Sequence, residues 1–213
     1  SSANINASGS YVGGVAGRNR GTLELTTDTD STKRTISGTI GVGGVVGYNE
    51  TGGRLQTVNQ TADEVIAVGS GVTVSGNQSI GGIVGVNEGT LGMNTTSYLT
   101  CQAKRVKAAM GDVGGIVGRN SGDIYKAINR SDSVTADTGL AGGITATNDS
   151  GNKISDCTDY GNVRSSDGHA GGIVAKNSGT IQNCTVANAN GNIVEIYSLG
   201  VSENGAVAAV NTD

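Results

Sequence analysis

The sequence predicts an all-β, right-handed parallel β-solenoid (β-helix) of about seven coils, with about 30 residues per coil. One domain of this kind would fill residues 1–213. Three observations carry the expectation: a motif that recurs seven times, a β-branched apolar set, and turn chemistry at one fixed place in every repeat. The copies read GGVAGRN from Gly13, GGVVGYN from Gly43, GGIVGVN from Gly81 and GGIVGRN from Gly114. GGITATN follows from Gly142, GGIVAKN from Gly171 and GAVAAVN from Gly205. Their starts are 30, 38, 33, 28, 29 and 34 residues apart.

Within one repeat, the third position is Val or Ile and the fourth is Val, Ala or Thr, the pattern of a short extended segment. Both positions are apolar in most copies, although neighbouring strand residues point to opposite faces. Either both faces are covered or a bulge intervenes. Each copy closes on an Asn: Asn19, Asn49, Asn87, Asn120, Asn148, Asn177 and Asn211. A Gly follows within two to four residues in the first six. Asn and Gly both accept left-handed backbone, so this is a turn. A second extended segment opens after it at Leu23, Leu55, Leu91, Ile124, Ile154 and Ile181. A third is expected near Gly161–Ser165 and Gly191–Ile196.

Three short strands cannot bury their apolar side chains alone, but stacked coils can, pairing equivalent strands in parallel. Parallel crossovers are almost always right-handed. Seven rungs would give a core about 34 Å long. Stacking sets like over like, so the seven Asn amides are expected to form a hydrogen-bonded ladder along one edge. A propeller would need longer, aromatic-marked blades. Helical repeats would not tolerate so much Gly.

Composition agrees. Gly occupies 37 positions and Asn 20, and Pro, Phe and Trp are absent. Val (23) and Ile (15) outnumber Leu (7), a bias that suits strands. Collagen is excluded by the missing Pro and the missing three-residue Gly period. A net charge of −4 with few aromatics argues against nucleic-acid partners. No stretch is long and apolar enough for membrane insertion. The first residue is Ser rather than Met, which points to a fragment of a larger protein.

These motifs resemble the GLUG repeat family, whose units read roughly GGIVGxNxGxIxNC. Gly171–Cys184, GGIVAKNSGTIQNC, is close to that pattern throughout, and Gly81–Leu91 and Gly114–Ile124 match its first eleven positions. The likeness covers about residues 12–211. Such repeats occur in large secreted or surface-attached bacterial proteins, among them adhesins and the non-catalytic region of immunoglobulin A1 peptidases. The resemblance therefore implies an extracellular, bacterial cell-surface location, other domains in the parent chain, and a stalk or adhesive role toward a host or cell-surface glycan or protein. The first, second and fifth units depart from the pattern, with Thr145 in place of Val and an extra residue before Gly52 and before Gly151.

Chemistry-bearing residues are few. His169 is the sole His, which rules out two-His metal sites and leaves a turn as its expected place. Cys157 and Cys184 fall at the same repeat position and should lie on adjacent coils, as a reduced thiol ladder or as a disulfide. Cys101 is left over. Asp28, Asp30, Asp149, Asp156 and Asp159 are the carboxylates an outer-face glycan lyase or hydrolase would use. They share no repeat position, so turn-capping and solvated roles are expected. The six Tyr residues (Tyr11, Tyr48, Tyr98, Tyr125, Tyr160, Tyr197) form no stripe in the alignment. Asn59–Ser79 reads as extra strand length, and Lys104, Arg105 and Lys107 as a solvated edge. Thr22, Thr90 and Thr180 recur after the turn, but Arg54, Asp123 and Lys153 interrupt any flat ice-binding face. The expectation is thus a non-enzymatic module without catalytic residues, metal or cofactor, and the alternative is a polysaccharide-active β-helix.

Overall fold

A computed structural model of the chain describes residues 3–28, 31–58, 63–93, 96–187, 194–199 and 203–211. Every regular element among them is a strand, and every strand pair is parallel. The strands stack into five sheets that run along a β-solenoid, numbered here as faces in the order the chain meets them. In the second coil these are Arg34–Ser37, Ile40–Gly43, Val46–Asn49, Arg54–Thr57 and Glu64–Val68. The first three faces carry seven strands, the fourth six and the fifth five, which makes about six full turns.

Five strands per coil replace the three expected from the sequence. The difference lies in corners that the motif conceals. Between the second and third faces the chain bends at the second and third motif positions, as at Gly44-Val45 and Gly82-Ile83. The two successive apolar residues therefore lie on either side of a corner, and both are buried: Val45 with Val46, Ile83 with Val84, Ile116 with Val117. This resolves the conflict with strand alternation. The corner is held in one repeated way. The amides of Val45 and Val46 both donate to the Ile83 carbonyl, those of Ile83 and Val84 to Ile116, and those of Ile116 and Val117 to Ile144, all at 2.9–3.0 Å. A second corner, between the fourth and fifth faces, turns on one left-handed residue in each of the third to sixth coils: Gly92 (φ 69°), Lys126 (47°), Asp156 (55°) and Asn183 (53°).

The glycine pair follows from steric exclusion. A Cβ on the first glycine would sit 1.8–2.2 Å from the carbonyl oxygen three residues on, in all seven copies. From the second copy to the sixth, a Cβ on the second would strike both the next coil's backbone and a side chain of the fifth face. For Gly44 that is Val68, for Gly82 the Cys101 sulfur, for Gly115 Asn129 and for Gly143 Asp159. Departures at the fifth motif position are explained as well. Gly47, Gly85 and Gly118 press against Tyr11, Gly41 and Ser79 of the preceding coil, which have φ of 59°, 64° and 55°. The corresponding Asp112, Leu140 and His169 keep ordinary backbone, and there Ala146, Ala175 and Ala209 are accepted.

The interior is a column of Val, Ile, Leu and Ala, fully excluded from water through the middle coils. The ends are looser: Val15 in the first coil is 64 % exposed and Val207 in the last 43 %, each lacking a neighbour on one side. The stretch expected as extra strand length supplies Glu64–Val68 and Val72–Gly76. Residues 59–62 of that stretch lie outside the described residues, as do residues 191–193 of the third segment expected in the sixth repeat. The seventh coil is in place, with Asn204–Gly205 and Ala208–Asn211 paired to the sixth.

The two kinds of glycine should be separable by substitution. Gly114→Ala, whose new carbon would meet Val117 O at 1.9 Å, should destabilise by at least about 2 kcal/mol. Gly21→Ala, with open space around it, should change stability by less than about 0.5 kcal/mol. Urea denaturation of both variants checks this.

Candidate functional site

The seven corner amides line up along one edge, between the third and fourth faces. Asn19 Nδ2 donates to Asn49 Oδ1 at 2.8 Å, Asn49 to Asn87 at 2.8 Å, and Asn87 to Asn120 at 2.8 Å. Asn120 donates to Asn148 at 2.9 Å, Asn148 to Asn177 at 2.9 Å and Asn177 to Asn211 at 2.7 Å. The second amide hydrogen closes the local turn, as from Asn120 to Gly122 O at 2.6 Å and from Asn177 to Gly179 O at 2.9 Å. Asn49, Asn87 and Asn120 are wholly buried. A buried amide needs both donors and its acceptor filled, and only another amide in the same orientation supplies that at each rung. Aspartate lacks the donors, and Ser is too short to reach across a rung.

A second polar column lies on the fifth face, where register aligns Cys101, Asn129 and Asp159. Asn129 Nδ2 donates to Asp159 Oδ1 at 2.8 Å, and the Gly161 amide donates to the same oxygen at 3.0 Å. Asp159 Oδ2 is buried with no partner, and the side chain is fully inside. Burial pushes its carboxyl up to about 7, against the two hydrogen bonds that favour the anion. The sequence signals for this column are Asn129-Arg-Ser131 and Asp159-Tyr-Gly161, shorter echoes of the Asn-x-Gly turn.

The outer faces carry the exposed chemistry. On the third face the variable sixth motif position forms a column: Arg18, Tyr48, Val86, Arg119, Thr147, Lys176 and Val210. At its N-terminal end Tyr11 and Tyr48 stack, ring centres 5.0 Å apart, and the Arg18 guanidinium lies 5.2 and 5.1 Å from the two rings. Glu50 pairs with Arg18 at 2.9 Å and with Arg20. A hydrogen bond to Glu88 pushes the Tyr48 hydroxyl up to about 12. Linear alignment missed this pair because Tyr11 lies on a bend before the motif while Tyr48 lies within it. Further along the same face, Asp112, Arg119, Asp149 and Lys176 line a polar cleft of about 230 Å³. On the first face Arg105, Lys107 and Arg164 border a hollow of about 320 Å³ with Ser133, Thr135 and Asp137. Lys107 pairs with Asp137 at 2.8 Å. On the fifth face Arg130 grips Glu64 two coils away at 2.7 Å, and that guanidinium holds the Glu64 carboxyl below its usual range.

The remaining sequence candidates are scattered. Asp149 sits at the ladder corner with Ser121 and Arg119, Asp156 turns the next corner and accepts from Asn183, and Asp159 faces inward. Asp28 pairs with Arg34, and Asp30 lies outside the described residues. His169 lies between the bend at residues 166–168 and the strand Ala170–Gly171, where its Nδ1 accepts the Glu203 amide at 3.1 Å. All three cysteines are thiols, Cys101 and Cys157 buried and Cys184 partly exposed. Lys104 lies at the edge, while Arg105 and Lys107 join the first-face hollow. Thr22, Arg54, Thr90, Asp123, Lys153 and Thr180 share one column, so charges interrupt the threonines as expected. Among the described residues no three His, Cys, Asp or Glu side chains converge as a metal site would require.

Compared with protein-family models, curated proteins and solved structures, the chain has no match in any of the three. The likeness to GLUG repeats thus stands on the motif alone.

Two outcomes follow from the polar columns. Asn120→Ala should cost about 2–4 kcal/mol, because it strands the Asn87 donor and the Asn148 acceptor in the interior. Asn211→Ala, at the exposed end, should cost under about 1 kcal/mol; urea melts compare the two. For Asp159, the unfolded carboxyl titrates near 4, so the folded state holds the extra proton between about pH 4 and 7. The Asp159 contribution to stability is therefore greatest below pH 4, falls as pH rises to about 7 and levels off above it. Asp159→Asn should match the parent near pH 4 and exceed it at pH 8 by as much as about 4 kcal/mol. The difference in melting temperature between parent and variant measures this, since groups such as Asp112 cancel.

Proposed function

We propose that the chain is a non-enzymatic structural and adhesive repeat module of a bacterial surface or secreted protein, a rigid rod that presents binding surfaces along its outer faces. The observation that carries this reading is the continuous amide ladder over a fully buried aliphatic column. Such a stack couples each coil to its neighbours and resists bending between them. Its polar investment lies in the scaffold rather than in converging acids. The Tyr11–Tyr48–Arg18 group supplies the preferred contact surface. Stacked amphipathic rings beside a guanidinium and carboxylates suit a saccharide ring or a protein loop, offering apolar faces with hydrogen-bonding edges. Partners of this kind are a host or cell-surface glycan or protein, with other domains of the parent chain at either end.

The polysaccharide-active alternative would use the cleft of Asp112, Arg119, Asp149 and Lys176. A glycan and surface-protein array, followed by a hydrolysis screen, separates the readings. Binding should weaken at least tenfold in Tyr48→Ala, about the loss of one well-made aromatic contact, with no polysaccharide turned over. Turnover that disappears in Asp149→Ala would overturn the proposal.

A further inference from the structure

Cys157 and Cys184 occupy one position on neighbouring coils. Register pairs Ile154 with Ile181 and Thr158 with Thr185, which sets the residue before each Thr against its counterpart. The Thr185 amide donates to the Cys157 carbonyl at 2.9 Å. Strands so paired lie about 4.8 Å apart, within the Cα separation that a disulfide spans. Each thiol donates to the carbonyl two residues before it, Cys157 to Ser155 at 3.2 Å and Cys184 to Gln182 at 3.3 Å. Cys184 Sγ also lies 3.7 Å from the Ile154 carbonyl, so it leans toward the coil that holds Cys157.

The two sulfurs differ in access. Cys157 is wholly inside, while Cys184 reaches solvent. They differ in acidity too. Burial pushes the Cys157 thiol up, and the Cys157 thiol, by turning its hydrogen from the Ser155 carbonyl to an ionised Cys184 sulfur, draws the Cys184 thiol down. An accessible, more acidic thiol backed by a buried one is the arrangement of an attacking and a resolving cysteine. Cys101 lies two coils back, buried and against Ser131 Oγ at 3.5 Å, and takes no part.

We propose that Cys184 and Cys157 form a redox-active dithiol that closes to an inter-coil disulfide by exchange with a small-molecule disulfide. Cys184 thiolate attacks one sulfur of the oxidant, forming a mixed disulfide and releasing one thiolate. Cys157 gives up its proton and attacks Cys184 Sγ, forming the protein disulfide and releasing the second thiolate. The oxidant gains the two electrons that the two protein thiols lose. The bond ties the sixth coil to the fifth and closes a loop of 27 residues (184 − 157), next to the end where burial thins at Ile181, Thr185 and Val186.

The test treats folded protein with oxidised glutathione and reads intact mass, peptide mapping and free thiols in denaturant. The expected product has lost two hydrogens, maps to a Cys157–Cys184 link, and retains one titratable thiol where the untreated protein has three. Its thermal midpoint should rise by several degrees, about what closing a loop of this size gives. Cys157→Ser should trap one glutathione on Cys184, and Cys184→Ser should take up none. A parent protein that keeps three thiols, or that accumulates the glutathione adduct with Cys157 unreacted, would overturn the proposal without recourse to any variant.

Discussion

The structure depends on one constraint: a buried side-chain amide at each turn must find its partners in the coils above and below. The Asn corner tucks a strongly polar group behind the third and fourth faces, where water does not reach. One Asn alone there would cost the desolvation of an unmade hydrogen bond, about 1–3 kcal/mol. Stacked in register, each amide fills its neighbour's acceptor and closes its own turn. Polarised chains of such bonds also strengthen one another. A slip of one residue between coils would empty the whole column, so the ladder fixes register as well as adding stability.

Register, once fixed, imposes the glycines. The same corner that lets two adjacent apolar residues both point inward brings the carbonyl of the fourth motif residue back against the first, leaving no room for a Cβ. The second glycine yields its space to whatever the fifth face supplies. That neighbour changes from Val68 to Cys101, Asn129, Asp159 and Val186 along the rod. The fifth-face column is therefore the permissive one, and it is where the chain has placed a thiol, a buried amide and an ionisable acid. The scaffold is strict at the Asn edge and tolerant opposite it.

Much of this was legible in the sequence, for a physical reason. Stacking forces identical residues to identical places, so Asn19 through Asn211 announce an edge before any geometry is known, and Cys157 and Cys184 announce adjacency. What the alignment concealed were features that break the repeat frame. The corner at Gly44-Val45 looks like strand in a linear pattern, because both flanking residues are apolar. Tyr11 and Tyr48 differ in repeat position and meet only because Tyr11 adopts left-handed backbone on a bend. Asp159 reads as a solvated turn acid, and only the inward face of its short strand shows otherwise. The outer faces are the least legible part, since solvent-facing positions vary freely from coil to coil.

The amide column also has a sense of direction. Every rung donates toward the following coil, never the preceding one, so the two extremities of the rod are chemically unlike. A unit placed ahead of Asn19 would have to hand it a hydrogen, and one placed beyond Asn211 would have to receive one. Coils of this design therefore stack head to tail and not head to head, and the column gives the solenoid a single orientation along its axis.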